Sequence, residues 1–167
     1  MPVFLTAIFF SVIGLAFIPV LRKSLHPLEI LACWLLLASL EQFAYAILSV
    51  NLHFVEVSGN HFKFYAVKLE QLVLAPVIIL CGSSVFFSKL RISLLKAAGP
   101  AVSVVVLWGM QYLYHLSETI HFIKWTWGQD IIKNTALAAM SLAFLALFRY
   151  FLRRKGVFRD FISSGSL

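Results

Sequence analysis

Charge is scarce in this chain, and acidic charge scarcest. Only 13% of the 167 residues are Asp, Glu, Lys or Arg, with seven acidic against 14 basic. A soluble domain carries about 25% charged residues, so the shortage excludes an ordinary water-facing surface. Cysteine is nearly lacking too, with Cys33 and Cys81 alone. Both fall in stretches assigned below to the inner membrane half, where thiols stay reduced, so no disulfide framework is expected. Two cysteines also make a poor metal signature. There is no Gly-rich phosphate loop, no nucleophile elbow and no H-E-x-x-H. No cofactor motif is present, and no cofactor is expected. The segments between the apolar runs are short, which excludes a nucleotide-driven engine.

Apolar length is in excess. Hydrophobic residues make up 61% of the chain and mean hydropathy is +0.92. A spanning helix needs about 20 mostly apolar residues. Five stretches qualify, over 1–21, 28–52, 65–87, 94–116 and 128–152. Runs such as 102–107 and 137–147 are continuous. A membrane barrel would alternate apolar and polar residues instead. The expected fold class is all-α: one multi-pass membrane domain over 1–167, a five-transmembrane-helix bundle with no repeat. A cleaved leader is disfavoured at 1–21, because Arg22 and Lys23 follow the apolar run and Ile18-Pro19-Val20 offers no small-residue cleavage site.

Lysine and arginine set the expected orientation. Arg22, Lys23, Lys89, Arg91, Lys96, Arg149, Arg153, Arg154, Lys155 and Arg159 fall on one side, ten of the 14 basic residues. Lys63, Lys68, Lys124 and Lys133 fall on the other. The positive-inside rule then puts the N-terminus outside and the C-terminus in the cytoplasm of a cell membrane. The net charge of +7 reflects these helix ends meeting anionic lipid, not nucleic acid. Membrane lipids are the expected surroundings, with a homo-oligomer or a membrane-protein partner open.

Polar residues inside the spans are the functional clue, because ionisable groups in lipid are costly and face a bundle interior or a wet cavity. The second stretch carries Glu41, Gln42, Tyr45 and Ser49; Glu41 and Tyr45 share a face by their spacing of four. Glu41 lies roughly 16 Å from the outer end at about 1.5 Å per residue. The third carries Lys68, Glu70 and Gln71. Gln111, His115 and Glu118 form one stripe in the fourth, and Asp130, Lys133 and Asn134 open the fifth, with Ser141 on the same face as Asp130 and Asn134. The inner halves read as almost purely apolar.

The expected site is therefore an outward-facing polar pocket of Glu41, Tyr45, Glu70, Gln71, Gln111, His115, Lys133 and Asn134, with Glu41 at its floor and Glu41 and Glu70 paired to Lys68 or Lys133, or one carboxyl kept protonated. It would bind or translocate a small solute or ion. An accessory or scaffold subunit is the second possibility, since polar groups also hold helices together. An intramembrane enzyme acting on a lipid headgroup is the third, and no nucleophile and base are recognisable by spacing. His53, His61, His115 and His121 match no metal motif, and no metal site is assigned. Trp125 and Trp127 read as an interfacial aromatic belt, with a lid over the pocket as the alternative. Pro76 should kink the third helix, and Gly82, Ser83 and Ser84 permit close helix approach.

Three blocks carry a family resemblance: Leu40-Glu41-Gln42-Phe43-Ala44-Tyr45, the segment from His61 to Gln71, and Gln111-Tyr112-Leu113-Tyr114 through Trp125-Thr126-Trp127. Over helices two to five the chain resembles small five-helix membrane proteins of spore-forming Firmicutes without assigned function. It departs from them at Gln111, where an acidic residue is expected, and at Glu70, where aspartate is. The resemblance implies a bacterial cytoplasmic membrane and no particular reaction.

Overall fold

A computed structural model describes residues 1–88 and 93–154. Lys89, Arg91, Lys155 and Arg159, counted above in the charge bias, lie outside the described residues. Five helices are long and apolar enough to cross a membrane: Pro2–Leu21, Pro27–Asn51, His61–Phe86, Ser93–Leu116 and Trp127–Arg154. We call them spans one to five.

Their starts follow from local chemistry. His26 caps span two: its ring accepts from the Leu28 amide, Glu29 takes the His26 amide at 2.7 Å, and Pro27 occupies the first turn. Asn60 caps span three, so this helix begins at His61, earlier than its apolar run. Thr126 and Gln129 exchange bonds in the same way ahead of span five. Span one breaks at Phe17, two residues before Pro19, whose missing N–H ends the helical ladder.

Span three is the hub. Over half of its apolar window is buried (56%), against 28% or less for each other span. Its neighbours pack around it, and Leu37, Ile79, Leu80, Leu107 and Leu145 form the dry centre. Gly82 and Gly99 make the closest approach. A Cβ on Gly82 would stand 2.7 Å from the Gly99 carbonyl oxygen, and one on Gly99 would stand 2.6 Å from the Gly82 oxygen. Only glycine lets the two backbones meet.

Pro76 has a more specific consequence than a kink. Glu70–Leu74 winds as a π-turn just before it, a rare form that occurs frequently at functional sites. Proline cannot donate to the carbonyl of Leu72, four residues back. The Trp34 indole of span two does so instead, at 2.8 Å.

The structure is mostly helical, and one short ribbon is added at one end. β1 (Val55–Val57) and β2 (Ile120–Phe122) pair antiparallel, with Val55 opposite Phe122, Glu56 opposite His121 and Val57 opposite Ile120. Each is reached through a residue with left-handed backbone, His53 (φ 52) and Glu118 (φ 53). The two interhelical loops satisfy their backbone against each other, which lone loops at an interface cannot do. Lys63 pins the ribbon, donating to the Ser117 and Glu118 carbonyls at 2.9 and 3.0 Å. The two sides of the bundle are hereafter the ribbon side and the basic side.

Candidate functional site

Polar side chains of spans two to five converge beneath the ribbon. Lys133 Nζ lies 3.6 Å from Glu41 Oε2 and 3.5 Å from Asp130 Oδ1. Asn134 donates to Asp130 Oδ2 at 3.3 Å, one turn along the same helix. Gln111 donates to Glu70 Oε1 at 3.3 Å. Glu70 Oε2 is buried with no partner among the described residues. Glu41, Glu70, Asp130 and Asn134 are each less than 5% exposed.

A second polar group adjoins the first. Lys68 donates to Gln42 Oε1 at 2.8 Å and to Gln71 Oε1 at 3.3 Å, and its ammonium sits 3.6 Å above the Tyr45 ring. The amide of Gln42 closes the group by donating to Gln71 Oε1 at 3.1 Å. The aromatic face and two amide oxygens solvate this half-buried cation.

A 40 Å³ space separates the cluster from the ribbon. Glu41, Tyr45, Gln71, Gln111, Asp130 and Lys133 form its polar wall. Val55, Val57, Ile120, Phe122 and Trp125 form its apolar roof. The structure thus brings together most of the expected residues and adds Asp130. Glu70 and Asn134 stand behind the wall, reaching the space through Gln111 and Asp130.

His115 is placed differently. Its ring nitrogen meets the Ile120 carbonyl at 3.2 Å, and the ring stacks on Phe122 and meets Trp127 edge-on. It supports the roof and does not line the space. Glu118 lies past the end of span four, so the expected stripe of Gln111, His115 and Glu118 ends at His115. Glu70 takes Gln111 and neither lysine. Trp125 lines the space, as the lid alternative requires, while Trp127 packs among Trp108, Tyr112 and Phe122.

Glu41 and Asp130 share Lys133 and Glu70 adds a third carboxyl, so even with Lys68 counted the site holds one more acidic than basic group. Glu70 is within electrostatic reach of Glu41, Asp130 and Lys133. Among the described residues no three His, Cys, Asp or Glu side chains are grouped closely enough to hold a metal ion.

Two polar contacts on the basic side were not legible in the sequence. Ser141 bonds Ser83 at 3.0 Å and Cys33 at 3.3 Å, so the buried face it shares with Asp130 and Asn134 continues toward the basic side and ties three spans together. Glu29 and Arg149 form a buried pair at 2.8 Å. Apart from these ties, the inner halves carry serines such as Ser84 and Ser103, whose hydroxyls bond carbonyls of their own helices. Compared with protein-family models, with curated proteins and with solved structures, the chain matches none.

Proposed function

We propose that this protein is an integral membrane protein that binds, and through that site translocates, a small cation or cationic solute from the ribbon side. The observation that carries this reading is the excess of buried carboxylate over lysine, with one Glu70 oxygen left without a partner. A carboxyl buried without a cation partner is neutralised by a proton or by a positive ligand, and on this reading the ligand takes the proton's place. The space is small. A water needs about 10–15 Å³ of such volume, so 40 Å³ suits a few waters or one small ion. A larger solute requires the ribbon to lift.

On this reading the ribbon side faces outward and the basic side faces the cytoplasm of a bacterial cell, in keeping with the lysine and arginine bias and the family resemblance. An accessory subunit would turn Glu41 and Tyr45 toward a partner's helices. Glu41 is 4% exposed and engaged with Lys133, which supports an internal site instead. A headgroup enzyme would set His115 beside a carboxyl, whereas its hydrogen bond goes to a backbone carbonyl.

The test is charge movement in protein reconstituted on a solid-supported membrane, after jumps in sodium, potassium, ammonium or choline. Wild type should give a saturable transient with at least one of them. Glu41→Gln should remove it. Wild type silent to every cation, or a transient that survives Glu41→Gln, would defeat the proposal.

A further inference from the structure

A second concavity of the molecule is remote in chemistry from the polar site. A groove of about 980 Å³ runs between spans one and four, with span three as its floor. Phe10 and Phe17 wall it on one side, Val102 and Val106 on the other, above Leu74 and Val77. It extends along span four from Leu95 to Ser117, a rise of roughly 33 Å at about 1.5 Å per residue. That equals the hydrocarbon thickness of a bilayer, about 30 Å.

The lining offers almost nothing to a polar ligand. The hydroxyls of Thr6, Ser103 and Ser117 donate to carbonyls of their own helices, at Pro2, Pro100 and Tyr114. The occupant is therefore apolar along its length. A groove of that length takes acyl chains laid end to end from the two leaflets, or a second spanning helix, and the charge at its ends chooses between them.

Charge distinguishes the two ends. Lys96 lies one turn beyond Gly99 and on one stripe with Gly99 and Ser103, both of which line the groove. Arg22 and Lys23 follow shortly after Phe17, where the opposite wall ends, and both are exposed. At the ribbon end the nearby lysine, Lys63, is engaged with the Ser117 and Glu118 carbonyls.

We infer that this groove is a binding site for an anionic phospholipid, with an acyl chain between spans one and four and the headgroup phosphate at Lys96. The basic end supplies long-range attraction and Lys96 a direct partner. The apolar walls supply chain burial, about 0.8 kcal/mol per methylene. This inference does not depend on the cation site.

Native mass spectrometry tests it on protein released from nanodiscs of equal phosphatidylglycerol and phosphatidylcholine. Wild type should retain phospholipid with phosphatidylglycerol in clear excess. Val102→Trp fills the middle of the groove and should lower retention about tenfold, the equivalent of about two lost methylenes. Leu113→Trp does the same nearer the ribbon end and covers a failure of the first variant to fold. Lys96→Gln should keep the lipid but bring the two headgroups to parity. Ile132→Trp, at an exposed position of span five, should change nothing. Three results would overturn the inference: undiminished retention in both filled variants, headgroup parity already in wild type, or a second polypeptide in place of lipid.

Discussion

Two buried groupings of carboxylate and cation occupy opposite sides of the bundle, and they are built on opposite rules. On the basic side, Glu29 is fully buried and both its oxygens are used. Arg149 donates from Nε to Oε1 at 2.8 Å and from Nη2 to Oε2 at 3.0 Å, and the His26 amide adds a third bond at 2.7 Å. The same guanidinium holds the Ser24 carbonyl at 3.0 Å and covers the Phe87 ring. Charge cancels and no oxygen of Glu29 is idle. On the ribbon side, Lys133 is shared loosely between two carboxylates at 3.5 and 3.6 Å, and Glu70 keeps a bare oxygen. Saturation is what a structural tie needs, because a buried pair stabilises only when its remaining hydrogen-bonding capacity is met. Unmet capacity is what a binding site needs.

The sharpest way to break this comparison is Arg149→Ala. It strands Glu29 among span two, the first loop and span three, and should lower stability by about 3–5 kcal/mol. Reversible unfolding in mixed bicelles reads the loss. The cation response of whatever remains folded should keep its affinity, because the two groupings lie on opposite sides. Arg149→Lys separates charge from geometry. Lysine keeps the charge but cannot fork to both Glu29 oxygens while holding Ser24. It should lose less, about 1–3 kcal/mol. Equal losses for the two variants would mean that the fork contributes nothing and the saturation contrast is misplaced.

The spans and the polar cluster were legible in the sequence for the same reason. In lipid, apolar length is almost sufficient to specify a helix, and a charged residue at mid-span must turn inward. Glu41, Lys133 and Asn134 therefore announced themselves. The ribbon did not: Val55-Glu56-Val57 and Ile120-His121-Phe122 alternate, but three residues are too few to register as strands, and their pairing joins distant loops. Glu29 drew no notice and Arg149 looked like a topology anchor, although they meet across 120 positions. Pro76 was readable as a defect, but not its repair by Trp34, which needs a second helix. Local and periodic features could be read; satisfaction between elements could not. His115 shows the cost of periodicity alone, since its stripe pointed to the pocket while its ring bonds the ribbon backbone.

The smallest effect on stability should come from Glu70→Gln, and that smallness sharpens the comparison most. Glu70 accepts one bond, from Gln111 at 3.3 Å, and its other oxygen has no partner to lose. In its ionised form Glu70 is repelled by Glu41 and Asp130, and the glutamine lifts that repulsion. The glutamine is nearly isosteric, so unfolding stability should stay within about 1 kcal/mol of wild type or rise, as expected when an imperfectly paired buried charge is neutralised. Cation affinity, read from the concentration dependence of the charge transient, should fall about tenfold or more, since about 1.4 kcal/mol of attraction is enough for that. A destabilised variant with unchanged affinity would make Glu70 a structural residue like Glu29. The distinction between saturated and unsaturated carboxylates would then carry no functional meaning in this fold.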